Sequence, residues 1–360
     1  MKRLLTVMMA SLLVHGCVSG AADDADGGVG QLVEVGYATD RPRQGTDGRN
    51  LGFLAGRGTL QFGTALISIP AGHVAGRLEA PAFDSNTQSG DPRHHIVLNS
   101  VQPLEGDAFV ADLRAALDRS RRNEILVFVH GYNTDFDLAL RRTGQLRVDL
   151  DFAGVTVAFS WPSASRAALY VADQNNADWA APDLAETLGL LVAESGAERI
   201  HVLVHSMGGR ILLRAFEELA RDGAGRELPV FGEVIFAAPD VDADIFARTA
   251  RRLLPLARRF TLYASDSDMA MAAARSAAGG YPRAGDSKSG IVVLPGMDTV
   301  DASAVRDDLF GHEYFGESTP VLDDMRILLR DGTGAAMRPR MQRDSHRGSV
   351  FWRLLPPAGS

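Results

Sequence analysis

The sequence predicts an α/β fold: a mostly parallel, doubly wound sheet with helices on both faces. Three observations carry that expectation. From residue 107 onward, short apolar runs alternate with amphipathic stretches of helical period. The runs are continuously apolar rather than alternating, as strands covered on both faces require. The chain has 360 residues, 46% of them hydrophobic and 23% charged, enough to bury one large α/β core or two small ones.

The first hundred residues are the least regular. Residues 31–37, 64–69 and 95–100 read as strands between Gly, Pro and Asn punctuation. A helix over 107–122 places Val110, Leu113 and Leu117 on one face. A strand at 125–129 ends in His130-Gly131-Tyr132-Asn133, and a helix over 135–150 aligns Phe136, Leu140, Thr143 and Leu146. A strand at 155–159 and a helix over 183–193 follow, then a strand at 200–204 and a helix over 208–221. Further strands are expected at 234–238, 260–264 and 291–294, and a last helix over 321–330. The tail is polar and Arg-rich until the apolar run 350–355, which can return to the domain. No internal repeat is visible.

The N-terminus has the form of a signal peptide, with Lys2 and Arg3 before an apolar stretch from Leu4 to Val14. At eleven residues this stretch is too short to span a bilayer, which needs about 20. The sole cysteine, Cys17, follows Leu13-Val14-His15-Gly16. That segment resembles a bacterial lipobox, which implies cleavage before Cys17 and a lipid on its thiol; the alternative is an ordinary secretory signal. The expected organisation is a signal peptide at 1–16, a polar Gly-rich tether at 17–30, the α/β domain at 31–331 and a tail at 332–360. The expected location is the cell envelope, with a lipid anchor to a membrane.

Composition also excludes classes. A net charge of -8 argues against nucleic acid as a partner, since counterion release needs a basic face. One cysteine leaves no intrachain disulfide framework and no Cys-rich zinc module. Gly52–Gly58 lacks the Gly-Lys-Ser/Thr of a phosphate loop, and His94-His95 has no partner at metal-ligand spacing, so neither cofactor nor metal is expected.

Ser206, in Val204-His205-Ser206-Met207-Gly208-Gly209, lies where a strand meets a helix. Such a turn lifts a serine hydroxyl above the sheet edge, and small flanking residues let strand and helix pack closely. Serine is also a favoured helix cap, which is the competing reading. A nucleophile needs oxyanion donors, and the backbone N–H groups of Tyr132 and Met207 occupy the expected positions. His130 and His205 read as structural. In the order serine, acid, histidine, His312 is the base. The acid is Asp268, with Asp240 and Asp266 as alternatives, each just beyond a strand.

The pieces VFVHGYN, FSWPS, VHSMGGR, AAPDVDADIF, TLYASDSD and DLFGHEYF, in this order, resemble a family of bacterial α/β hydrolases of unknown function, many of them esterase- or lipase-like. Tyr37–Arg41 and Ile67–Pro70 resemble it too. The resemblance implies an α/β-hydrolase fold with Ser206 as nucleophile, His312 as base and Asp268 at the post-strand acid position. Val204 departs modestly from the alanine usual there. The reaction expected is hydrolysis of a small-molecule or lipid carboxylic ester through an acyl-enzyme. A thioesterase, amidase or acyltransferase would use the same triad, and a non-catalytic binding protein would keep only the fold. Trp161 reads equally as core or pocket wall, and Tyr37–Arg41 as structural or as reaching the site.

Overall fold

The computed structural model describes residues 30–44, 52–81, 90–164, 166, 169–223, 230–266, 274, 276, 279–288, 290–305 and 314–357. Cys17 with the leader and most of the tether, Asp268 and His312 lie outside the described residues.

The elements run β1 (Gln31–Thr39), β2 (Gln61–Ile69), β3 (Val97–Leu104), α1 (Gly106–Arg119), β4 (Glu124–Val129), α2 (Phe136–Asp149), β5 (Val155–Ser160), α3 (Tyr170–Glu194), β6 (Arg199–His205), α4 (Gly208–Asp222), β7 (Phe231–Ala237), α5 (Ala243–Leu253), β8 (Ala257–Ala264), β9 (Met297–Asp301), α6 (Thr319–Asp331), β10 (Met341–His346) and β11 (Ser349–Leu354). The described strands form one sheet in the order β10-β11-β9-β8-β7-β6-β4-β5-β1-β2-β3. Pairing is parallel from β1 through β11 and antiparallel only in β1-β2, β2-β3 and β10-β11.

The continuous apolar runs follow from two-sided burial. Every residue of β4 is buried. Ile125, Val127 and Val129 enter one core with Leu113 of α1, Leu184 of α3, Leu212 of α4 and Phe246 of α5. Leu126 and Phe128 enter the opposite core with Leu146 of α2 and Met325 of α6. Each such side chain contributes about 1.5–3 kcal/mol by leaving water.

Four expectations are corrected. α3 starts at Tyr170 rather than at 183 and carries Pro182 inside it. Proline removes a donor and crowds the preceding turn, but buried Ala177, Ala180 and Ala181 pack that half of the helix into the core and override the break. α5 was not foreseen, although Asp242 caps it by accepting from Asp244 and Ile245 N–H at 3.0 Å. Residues 291–294 are not a strand; the chain turns at Leu294 and pairs only from Met297. Beyond residue 332 the apolar run does return to the domain, as β11 paired with β9; the unforeseen part is β10, formed by the polar residues before it and paired with β11.

That hairpin is fastened by a buried ion pair. Arg338 Nε stands 3.2 Å from Asp324 Oδ1 on α6, both groups essentially without solvent exposure. Tyr263 of β8 donates its hydroxyl to the other Asp324 oxygen at 2.5 Å. Burial alone would lower the Arg338 pKa, but Tyr263, Asp324, Asp298 and Glu233 more than offset it and keep the guanidinium charged.

A second clamp ties the β2–β3 connection to α2. His73 Nδ1 faces Glu79 at 2.9 Å and Nε2 faces Asp149 at 2.8 Å, while Gly76 N–H donates to Asp149 Oδ2 at 2.9 Å. Burial lowers the His73 pKa, but the two carboxylates raise it further, so the net shift is upward. The clamp therefore contributes its full stability below the unfolded pKa of about 6.5 and loses it as pH rises through the higher folded value. In thermal melts across pH 5–9, the Tm gap between wild type and His73→Gln is expected to be widest at the acid end and to narrow with rising pH. A gap that stays constant or widens would contradict the assignment.

Candidate active site

β6 ends at His205, α4 begins at Gly208, and the turn between them holds Ser206 at φ +50°, 1% exposed. A side chain at positive φ costs roughly 1–3 kcal/mol, sustained only where surrounding structure fixes it. Here Ser206 N–H donates to Ala237 O at 3.0 Å, and Ser206 C=O accepts from Gly209 and Asp240 N–H at 3.0 Å each. The turn is thus tied to the end of β7. The two glycines are sterically required: a Cβ on Gly208 would lie 2.7 Å from Val129 O, and one on Gly131 3.0 Å from Ser206 Cβ. Val204 fits because its side chain points into the core on the α4 side rather than into the turn.

The loop after β4 lies against this turn. His130 is buried and stacks on Trp161 at 5.1 Å, while Trp161 Nε1 donates to His130 O at 2.8 Å. Trp161 is therefore core and does not wall a pocket. Burial, followed by the Arg41 charge, drops the His130 pKa well below the usual range, so the ring is neutral. Its Nδ1 pairs with Gly131 O at 2.7 Å, which puts the proton on that nitrogen. Asn133 sits at φ +58°. Tyr132, at the middle of the loop, is partly buried and meets Tyr170 edge-on at 5.6 Å. Met207, the other expected oxyanion residue, is buried directly after Ser206.

Asp240 is buried beside Ser206, with both carboxylate oxygens engaged. Oδ1 accepts from Arg283 Nε and Oδ2 from the Tyr170 hydroxyl, each at 2.6 Å. Burial, then the Asp240 charge, raises the Tyr170 pKa, so the phenol stays a donor. Arg283 belongs to a segment wedged between the ends of β7 and β8: Gly285 N–H donates to Pro239 O and Ser265 N–H to Gly285 O, both at 3.0 Å. Asp266, just past β8, is exposed, and its N–H donates to Ser303 Oγ at 2.9 Å.

On the other side, Phe315 is 1% exposed and stacks on His205, the residue before Ser206, at 4.2 Å. Gln145 Nε2 and Arg142 Nη1 donate to the next carbonyl, Gly316 O, at 2.8 and 3.3 Å. The site elements thus include four side chains that the sequence did not single out: Tyr170, Arg283, Phe315 and Arg142. Only Phe315 lay within a recognisable motif; the others meet the site through contacts far apart in sequence.

Asp40 and Arg41, directly after β1, are both fully buried. Arg41 spans the ends of three elements and is lowered by burial to about 10, still charged at neutral pH. Neither Asp40 oxygen has a hydrogen-bond partner among the described residues. Burial first, then the neighbouring Asp183 carboxylate, pushes its pKa up to about 8. Native Asp40 is therefore protonated at neutral pH, and folding takes up a proton between the unfolded value of about 3.9 and about 8. Stability falls with rising pH across that window. Asp40→Asn, which mimics the protonated acid, is expected to gain on wild type by at least about 5 °C in Tm between pH 4 and pH 8. A pH-independent difference in differential scanning calorimetry would overturn the assignment.

Among the described residues no group of three or more His, Cys, Asp or Glu is arranged to hold a metal, and no helix is long and apolar enough to cross a membrane. Residues 105–331 match the model of a family described as "Alpha/beta hydrolase of unknown function (DUF900)". No curated protein matches the chain. Among solved structures, the chain is similar to a hyperthermophilic esterase from the archaeon Pyrobaculum calidifontis, with 11% identity, 86% of this chain and 88% of that one covered, and a TM-score of 0.36. It is also similar to the RedJ thioesterase of Streptomyces coelicolor (14% identity, 58% and 85% covered, TM-score 0.32). A predicted CIB-like hydrolase from Thermoplasma acidophilum aligns at 17% identity over 58% and 88%, with a TM-score of 0.30. Likeness at this level carries no argument about activity.

Proposed function

The chain belongs to the DUF900 family of α/β hydrolases, and from that premise we propose that it is a serine hydrolase of carboxylic esters with Ser206 as nucleophile. The observation that carries this reading is the Ser206 backbone. A capping serine sits in the extended region and accepts from the helix N-terminus; Ser206 sits at φ +50°. A strained, buried serine pressed against the Gly131 loop fits a nucleophile and does not fit a cap.

In the proposed reaction, Ser206 Oγ attacks the ester carbonyl and its proton passes to His312. The N–H groups of Tyr132 and Met207 hold the negative oxygen of the tetrahedral intermediate. The imidazolium returns the proton to the departing alcohol, leaving an acyl-serine. Water, deprotonated by the same imidazole, then releases the acid and restores the hydroxyl. Asp268 orients and stabilises the ring. The chain order serine, acid, histidine supports His312 as base. The engagement of Asp240 by Arg283 and Tyr170 supports Asp268 over Asp240 as the acid.

The test is fluorophosphonate labelling of the purified chain lacking residues 1–17, with the adduct located by peptide mass spectrometry. A single adduct on Ser206, lost in His312→Ala, is expected. A folded protein that takes up no label would overturn the reading and favour a binding role. We also propose anchoring in the cell envelope through lipid on Cys17. Palmitate incorporation in bacterial cells should vanish in Cys17→Ser, and an unlabelled wild type would refute the anchor.

A further inference from the structure

We propose that Arg41 is a positioning residue for the oxyanion side of this site, an inference that rests on the serine-hydrolase reading above. Its guanidinium is completely buried and joins three chain segments. Nη2 donates to Thr134 O at 2.7 Å, Nη1 to Ser163 O at 3.2 Å and Nε to Ser160 Oγ at 3.0 Å. Ser163 Oγ in turn accepts from Thr134 N–H at 3.4 Å and donates to Asp173 at 2.6 Å.

These bonds fix one end of the loop that runs from His130 to Thr134. Trp161 fixes the other end through His130 O. Between them stand Asn133 at positive φ and Tyr132, whose carbonyl accepts from Thr134 Oγ1 at 3.3 Å. The loop's shape is therefore set by its two anchors, and the direction of the Tyr132 N–H follows from that shape. Oxyanion stabilisation depends on donors already aimed at the place where charge develops. A displacement of about an ångström at such a donor is costly even when its cause lies far from the reacting atoms.

The chemistry of the anchor fits this task. Burying a guanidinium costs several kcal/mol unless it is paired and hydrogen-bonded, and an apolar side chain of similar volume would fill the space at lower cost. What the apolar side chain lacks is a rigid planar fork that addresses three acceptors at once. The Asp135 and Asp173 carboxylates supply the compensating field. Arg41 thus exchanges folding stability for a fixed loop.

The experiment compares wild type, Arg41→Met and Arg41→Lys on p-nitrophenyl butyrate, with active sites counted by fluorophosphonate titration. Affinity for an alkyl trifluoromethyl ketone, whose serine adduct carries the oxyanion, is measured alongside. Arg41→Met is expected to lose about 100-fold in kcat per titrated site, the scale of losing one oxyanion donor, with KM within twofold. Ketone affinity should fall by the same factor as kcat/KM. Arg41→Lys, which keeps the charge but not the fork, should recover part of the loss. If Arg41→Met does not fold, Arg41→Lys carries the test, with about a tenfold fall in kcat at unchanged KM. Unchanged kcat per titrated site, or a loss confined to KM or to the titratable fraction, would overturn the proposal while leaving the nucleophile intact. A wild type that takes no label would remove both readings together.

Discussion

Ser206→Ala is expected to lower ester turnover about a millionfold, the scale seen when a triad nucleophile is removed, with no loss of stability. Alanine at φ +50° bears the same backbone strain as serine, so its melting temperature should match wild type within about 2 °C. Ser206→Gly separates the two properties further. Glycine adopts positive φ freely, so this variant should be equally inactive yet more stable by about 1–2 kcal/mol. Steady-state kinetics on p-nitrophenyl esters and urea titration check both. Retained turnover in either variant would exclude Ser206 as nucleophile, and a glycine variant less stable than wild type would show that the turn is not strained.

Arg338→Ala is expected to destabilise the protein by about 3–5 kcal/mol. Removing the guanidinium leaves Asp324 buried beside Tyr263 without its ion-pair partner. Desolvation dominates such a site, so the cost exceeds the direct worth of the pair. The double variant Arg338→Met, Asp324→Asn removes both charges and should recover most of the loss, because the buried charge rather than the missing contact is at fault. Urea denaturation of wild type, Arg338→Met, Asp324→Asn and the double variant gives the coupling directly. A single-variant loss below about 1 kcal/mol would mean that water already reaches this pair.

The difference between what was legible in the sequence and what was not has a physical basis. Runs such as Ile125–Val129 declare themselves because both faces of a central strand must be apolar. The Ser206 turn was legible for a different reason: close packing against Val129, His130 and Pro239 admits only glycine at 208 and 209, so the demand shows in the sequence as a Gly pair directly after the serine. α5 escaped because its arginines mask an apolar spacing of Phe246, Ala250 and Leu253. The first half of α3 escaped because its alanines and polar residues carry a weak periodic signal, and packing overrides Pro182. β9 was displaced because its Met-Asp-Thr-Val-Asp sequence is less apolar than the partly buried run before it. Arg41 and the Asp240–Arg283 clasp depend on partners up to 122 residues away, and no local pattern encodes such meetings.

The antiparallel margins of the sheet have a consequence for behaviour at high concentration. The interior strands are apolar enough to recruit any exposed strand that can pair with them. Access is limited by what stands outside. At one edge β3 presents Pro103, which has no N–H to offer. At the other edge β10 presents Arg343 and Asp344, whose charges would be stripped of water by an incoming chain. The hairpin that closes the fold thus also shields a sheet of aggregation-prone strands from growing edge to edge into fibrils.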